Sequence, residues 1–183
     1  AVTDKNGRFT TSVAGGAVEF TATLSGKYAT VNDRSGRPLK VTATLKPGEE
    51  SEVVFNPEGA TEIEVSQVNA YLNATRVHDW LKERGINDAR IDKAIPVNVN
   101  IDDECNAYYT PGRPSLNFFK SSVNCSDTAR PGIIAHEYGH FVDDMIGGIV
   151  NGGLSEGWGD IFSMYMLGSP IIGDGFLRNQ TPS

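Results

Sequence analysis

IIAHEYGHFVDD, residues 133–144, decides how the rest of the chain is read. It carries two of the three histidines, His136 and His140, and places Glu137 directly after the first. Residues four apart on an α-helix lie on one face, one turn above the other, so two imidazoles at this spacing converge on one point. Glu137 is rotated by about 100° from His136, which lets its carboxylate reach a water at that point without taking a ligand position. Two ligands and one base on a single rigid element is the physical content of the H-E-x-x-H pattern. The competing reading is a hydrogen-bonded histidine pair on an embedded helix, as Ile133, Ile134, Phe141 and Met145 around it would allow.

A hydrolytic zinc site needs a third protein ligand and an open fourth position. No histidine follows His140, and Cys105 and Cys125 lie upstream without close ligand spacing, which leaves a carboxylate. GGLSEGWGDIF, residues 152–162, offers Glu156, expected in the first turn of a helix over about 155–167, with Asp160 one turn further on the same face. A zinc-bound histidine usually donates its other ring N–H to a carboxylate. Glu156 as ligand and Asp160 as the partner of His136 account for both residues at once. The alternative for Glu156 is a side chain that only complements the helix dipole. Asp144, four residues after His140, is either a similar supporting carboxylate or a solvated residue at the helix end. The surrounding glycines allow the two helices to approach closely.

Upstream, Ser66 is a plausible N-cap and Gly85 a stop for a helix over 66–85, whose apolar residues Val68, Tyr71, Leu72, Val77, Trp80 and Leu81 recur at helical spacing. His78 within it reads as structural. PVNVNI (96–101), CNAYYT (105–110) and SLNFF (115–119) read as strands, the last two flanking a PGRP turn. Asp127 or Thr128 is the expected cap of the zinc-motif helix, with Pro131 in its first turn. Residues 1–65 have a different pattern. RFTTSV, AVEFTATL, KYATVND, LKVTATL and SEVVFN are short and rich in Val, Thr and aromatic residues, with turn signals DKNG, SG, DRSGRP, KPGE and NPEG between them. Five such strands suggest a small antiparallel β-sandwich-like module over 1–65. TDKNGRF resembles the turn and strand of carboxypeptidase-regulatory-like or transthyretin-like sandwiches. The fold class expected is α+β.

HEYGH followed downstream by SEGWGD resembles the gluzincin metallopeptidases of the thermolysin-like clan, and within it most of all the fungalysin-like group, which also has a helix similar to VNAYLNATRVHDWL. The resemblance covers roughly residues 66–170 in three blocks in the right order. It implies that 66–183 forms the N-terminal subdomain of a thermolysin-like zincin, sheet plus active-site helix, binding zinc and hydrolysing peptide or protein substrates as an endopeptidase. It implies that Asn106 and Ala107 bind the substrate backbone from an edge strand, with Tyr108 lining the cleft. If Cys105 and Cys125 are bridged, the bond would tie that strand to the segment entering the zinc helix. The resemblance also implies calcium, for which no clear ligand loop stands out. Finally, it implies a second, helical subdomain that supplies an oxyanion donor. The expectation is therefore a piece of a longer enzyme, with Tyr165 placed in the core, apolar surface uncovered near Trp158 and Phe162, and weak or no turnover alone. A non-catalytic binding or inhibitory module on the same scaffold is the alternative.

Bulk properties agree with an ordinary globular protein. Hydrophobic residues make up 39% and charged residues 21% of 183, too apolar for a disordered chain. The net charge of -7, with no Lys/Arg cluster, argues against nucleic acid as a partner. No apolar run is long enough to span a membrane. The N-terminal residues have no signal-peptide pattern, and a chain that begins without Met suggests one already removed, hence a secreted protein. Cys105 and Cys125 are either buried thiols or, in an exported protein, a disulfide.

Overall fold

The computed structural model describes residues 3, 8–12 and 15–178. It is α+β, with three helices and two sheets among those residues. β1 (Val18–Thr23) and β3 (Lys40–Leu45) form an antiparallel pair. β2 (Ala29–Asp33), β4 (Ile95–Ile101), β6 (Ser115–Phe119) and β5 (Ala107–Thr110) form a mixed sheet in that spatial order. β2, β4 and β6 run parallel, and β5 folds back antiparallel on β6 as the edge strand.

The N-terminal region differs from the expected sandwich. Of the five strands expected, three form. RFTTSV is without strand structure over its described residues 8–12, and SEVVFN is loop; Val13 and the DKNG turn (4–7) lie outside the described residues. The reason is pairing: β2 joins β4 rather than β1 or β3, because Ala29 and Val31 face the same apolar layer as Ile95, Val97 and Val99. The chain therefore does not divide cleanly at residue 65, since a strand from before it belongs to the sheet that follows it.

α1 (Glu62–Glu83) starts four residues before Ser66. Its N-cap is Thr61, whose side chain accepts from the Glu64 N–H while the Glu64 carboxylate accepts from the Thr61 N–H, a reciprocal box that satisfies two otherwise orphaned donors. Ser66 is instead buried and donates to the Asp127 carboxylate. The helix ends at Arg84, and Gly85 takes the left-handed conformation expected of a stop.

One face of the mixed sheet carries Val97, Val99, Leu116 and Phe118, fully buried against Ala70, Ala74 and Val77 of α1 and Ile134 and Tyr138 of α2 (Pro131–Met145). The other face carries a row of amides in register: Asn32 donates to Asn98, and Asn98 to Asn117. Because Asn98 both accepts and donates along the row, a slip of one residue would leave buried polar groups unpaired. His78 is structural: it is buried, stacked on Tyr28, and its two ring nitrogens face Asp79 and Asp92.

Cys105 and Cys125 form a disulfide with a Cα–Cα distance of 5.4 Å. It joins the start of β5 to the segment that leads into α2. Neither residue expected to cap α2 does so. Arg130 is the N-cap, with no side-chain hydrogen bond, and Pro131 follows it. Asp127 and Thr128 are turned inward, where Asp127 accepts from Ser66 and Ala129, and Thr128 accepts from the Phe119 N–H and hydrogen-bonds the Asn106 and Phe119 carbonyls. α3 (Gly152–Leu167) begins earlier than expected, capped by Asn151, and lies against α2. Glu156 consequently sits beyond the first turn, where the dipole reading has little force.

Candidate metal centre

The packing of α2 on α3 creates the site. Gly139 and Gly159 meet at the crossing. A methyl group on Gly159 would lie 2.8 Å from the His136 ring, and one on Gly139 would lie 3.3 Å from the Gly159 backbone. A side chain at Gly159 would push the His136 ring aside and one at Gly139 would crowd α3, so the two glycines let the helices approach closely enough for α3 to reach the histidines. Two hydrogen bonds fix the pair in register: Trp158 Nε1 donates to the Gly139 carbonyl at 2.9 Å, and Ser163 Oγ to the Gly132 carbonyl at 2.8 Å.

His136 and His140 project from one face of α2 toward Glu156 of α3. Their Nε2 atoms lie 3.0 Å apart, and the Glu156 oxygens lie 3.3 Å from His136 and 3.6 Å from His140. All three ligand atoms fall within 4.8 Å of one another, and among the described residues this is the one group of three or more His, Cys, Asp or Glu placed so. Behind His136, Asp160 Oδ1 lies 2.9 Å from Nδ1. An ionised carboxylate only accepts, so Nδ1 carries the proton and Nε2 turns a lone pair to the centre. Behind His140, Ser155 Oγ lies 3.3 Å from Nδ1 and donates to Asp143 at 3.1 Å. Burial holds the His140 imidazole below the usual histidine range, and the neighbouring His136 adds to the fall; Glu156, Asp143 and Asp160 oppose it. Two imidazoles and a carboxylate converging on one point make a donor set that fits a divalent cation.

Glu137 is buried on the other wall, facing β5. Desolvation pushes its carboxyl up to about 8, the charge of Glu156 adds to the rise, and a hydrogen bond from the Tyr109 backbone N–H opposes it. Asn106, Ala107 and Tyr108 line the same cleft of about 660 Å³, together with His136, Glu137, His140, Glu156 and Asp160. The structure thus gathers the sequence-derived residues around one opening and leaves the Glu156 side chain 69% exposed within it.

Asp144 takes the second of its two expected readings, an exposed residue at the helix end, while Tyr165, Phe162 and Trp158 differ from expectation. Asp144 accepts a 2.7 Å hydrogen bond from the Tyr109 hydroxyl, so it ties α2 to the edge strand instead of supporting a histidine. Tyr165, expected in the core, is exposed, because it falls on the side of α3 turned away from α2. Phe162 is buried against Trp80 and Trp158 is partly buried; the uncovered large apolar residues of α3 are Leu154, Ile161, Tyr165 and Leu167. Ser155 and Asp143 were not anticipated. Their only sequence signal is adjacency, Ser155 before Glu156 and Asp143 three residues after His140.

No protein-family model matches the chain, and no curated protein matches it.

Proposed function

We propose that the chain is a zinc-dependent endopeptidase of the gluzincin type, with a thermolysin-like arrangement of sheet and active-site helix closest to the fungalysin-like group. The observation that carries this reading is the convergence of His136, His140 and Glu156 on one point, with the buried Glu137 carboxylate on the facing wall. His136, His140 and Glu156 would hold the ion, which supplies an activated water and a polarised carbonyl when bound. Glu137 takes the proton of the attacking water and passes it to the leaving amine. Its position on the wall of the cleft that also holds His136, His140 and Glu156 suits that shuttle. Asp160 fixes the tautomer and orientation of His136.

β5 is one of the two edge strands of the mixed sheet, and Asn106, Ala107 and Tyr108 stand at the cleft on that edge. An extended peptide laid along it adds as a strand, with its scissile bond carried toward the histidines. The disulfide holds this rim to the segment entering α2, which keeps edge strand and ion site in register. A disulfide, and the lack of any described helix long and apolar enough to cross a membrane, are compatible with an extracellular protein, and secretion is part of the proposal.

The second reading is a gluzincin scaffold that binds without turnover. It is favoured by the cleft lining, in which, among the described residues, there is no Arg or Lys to serve as an oxyanion donor and the Tyr109 hydroxyl is already given to Asp144, leaving Tyr108 as the lining tyrosine without that tie. Cleavage of a broad peptide library by the parent and by Glu137→Gln separates the two. Because turnover is expected of the longer enzyme, both are compared in the full-length protein: the enzyme reading expects cleavage by the full-length parent and its loss in the variant with zinc retained. Equal cleavage by both would remove Glu137 as base. Zinc uptake with no cleavage by the parent would favour the binding module.

A further inference from the structure

His140 is supported differently from His136. His136 faces a carboxylate directly, whereas His140 meets the Ser155 hydroxyl, and only behind that the Asp143 carboxylate. Asp143 is buried, and its second oxygen has no hydrogen-bond partner. A buried carboxylate left half unsatisfied destabilises a fold, so its position calls for a compensating role.

The hydrogen-bond inventory supplies one. A hydroxyl has one proton to give. Ser155 gives it to Asp143 Oδ2 at 3.1 Å, because an ionised carboxylate can only accept. That leaves a lone pair of Ser155 Oγ facing His140 Nδ1 at 3.3 Å, so Nδ1 must be the donor. The Nε2 lone pair of His140 then points to the centre shared with His136 Nε2 and Glu156. The order Nδ1–H to Oγ–H to Oδ2 gives one self-consistent direction, with negative charge at its far end.

We infer that Ser155 and Asp143 form a positioning pair, unassigned by the motif itself, that fixes the tautomer and ring orientation of His140 and sets how tightly the site takes a divalent cation. The inference rests on the metal-site reading. It adds that the second histidine depends on a hydroxyl-bridged carboxylate drawn from both helices. Because Ser155 adjoins Glu156, one turn of α3 carries both a ligand and the support of another ligand. A shift of α3 along α2 would disturb both together.

Zinc affinity of the full chain, stripped by chelator and titrated in competition with a chromogenic chelator, tests this. Ser155→Ala and Asp143→Ala should each weaken zinc binding roughly 10–100-fold. The double variant should lose little more than the weaker single, since residues acting in one chain are not additive. Ser155→Thr, which keeps the hydroxyl, should hold the parent's affinity. Asp144→Asn controls for a lost charge at the same helix end without touching His140. Nitrogen NMR of the zinc-loaded parent should show an exchange-protected Nδ1–H on His140 that disappears in Ser155→Ala, while that of His136 persists. Affinity in Ser155→Ala within about twofold of the parent, far below the expected loss, overturns the pair. So does equal weakening by Asp144→Asn and Asp143→Ala, or a lower melting temperature of the zinc-free variants with unchanged affinity. A parent that takes up no zinc overturns the metal reading itself, and the pair with it.

Discussion

Asp160 lies directly behind His136, its Oδ1 atom 2.9 Å from Nδ1, while Glu156 faces the other nitrogen of the same ring. The two carboxylates come from successive turns of α3, so a single helix both supplies a ligand and orients another. Asp160→Ala should therefore lower zinc affinity by about 10–100-fold with the fold intact, and Asp160→Asn, which keeps an acceptor oxygen, should lose less. Zinc titration of the two variants checks the order.

The helix crossing gives a paired test. A Cβ at Gly159 would lie 2.8 Å from the His136 ring, whereas one at Gly157, two residues earlier on α3, meets nothing within 4 Å. Gly159→Ala should cost about 1–3 kcal/mol through overpacking and should displace His136. Gly157→Ala should be neutral or stabilising by up to about 1 kcal/mol, from helix propensity. Denaturant unfolding, with zinc content measured on the same samples, distinguishes crowding at one glycine from a general intolerance of α3.

These two glycines show where sequence reading reached its limit. The i,i+4 histidines, the following glutamate, and the Glu156–Asp160 pair were legible because each lies within one helix, where 3.6 residues per turn fixes which side chains share a face. The hairpin of β5 and β6 was legible because a proline-glycine turn joins two alternating runs. The partner of β2 was not. KYATVND reads equally well as a sandwich strand, and its parallel pairing with β4 spans the whole of α1. Ser155 and Asp143 were hidden for a related reason: their contact depends on the register of one helix against another, which the Trp158–Gly139 and Ser163–Gly132 hydrogen bonds set. The Thr61–Glu64 box, by contrast, carries a local signature that Ser66 obscured.

Asp127 sets a pH dependence. Burial pushes its carboxyl up from 3.8 to about 6, with hydrogen bonds from Ala129 and Ser66 opposing and the charge of Glu62 assisting. The folded state thus holds the proton more tightly than the unfolded chain. The resulting stability is fully present below the unfolded pKa and is lost as pH rises through the folded one, between about 4 and 6. Asp127→Asn keeps an acceptor for Ser66 and Ala129 and removes the titration. Its stability relative to the parent should rise across that window, by up to about 3 kcal/mol at neutral pH. Urea unfolding of both proteins at either side of the window measures it.

The Tyr109–Asp144 hydrogen bond anchors the edge strand to α2. Tyr109→Phe should cost about 1 kcal/mol, reduced from a buried charged bond by its solvent exposure. If substrate adds to β5, the variant should raise KM while kcat holds, because Glu137 and the histidines are untouched. Steady-state kinetics on a single peptide reads the two apart.

The central claim is that Glu156 completes a zinc site begun by His136 and His140. Metal analysis of the purified parent beside His140→Ala and Glu156→Ala tests it most directly. The account predicts one zinc per chain in the parent and its loss from both variants. Zinc content unchanged in Glu156→Ala would contradict it.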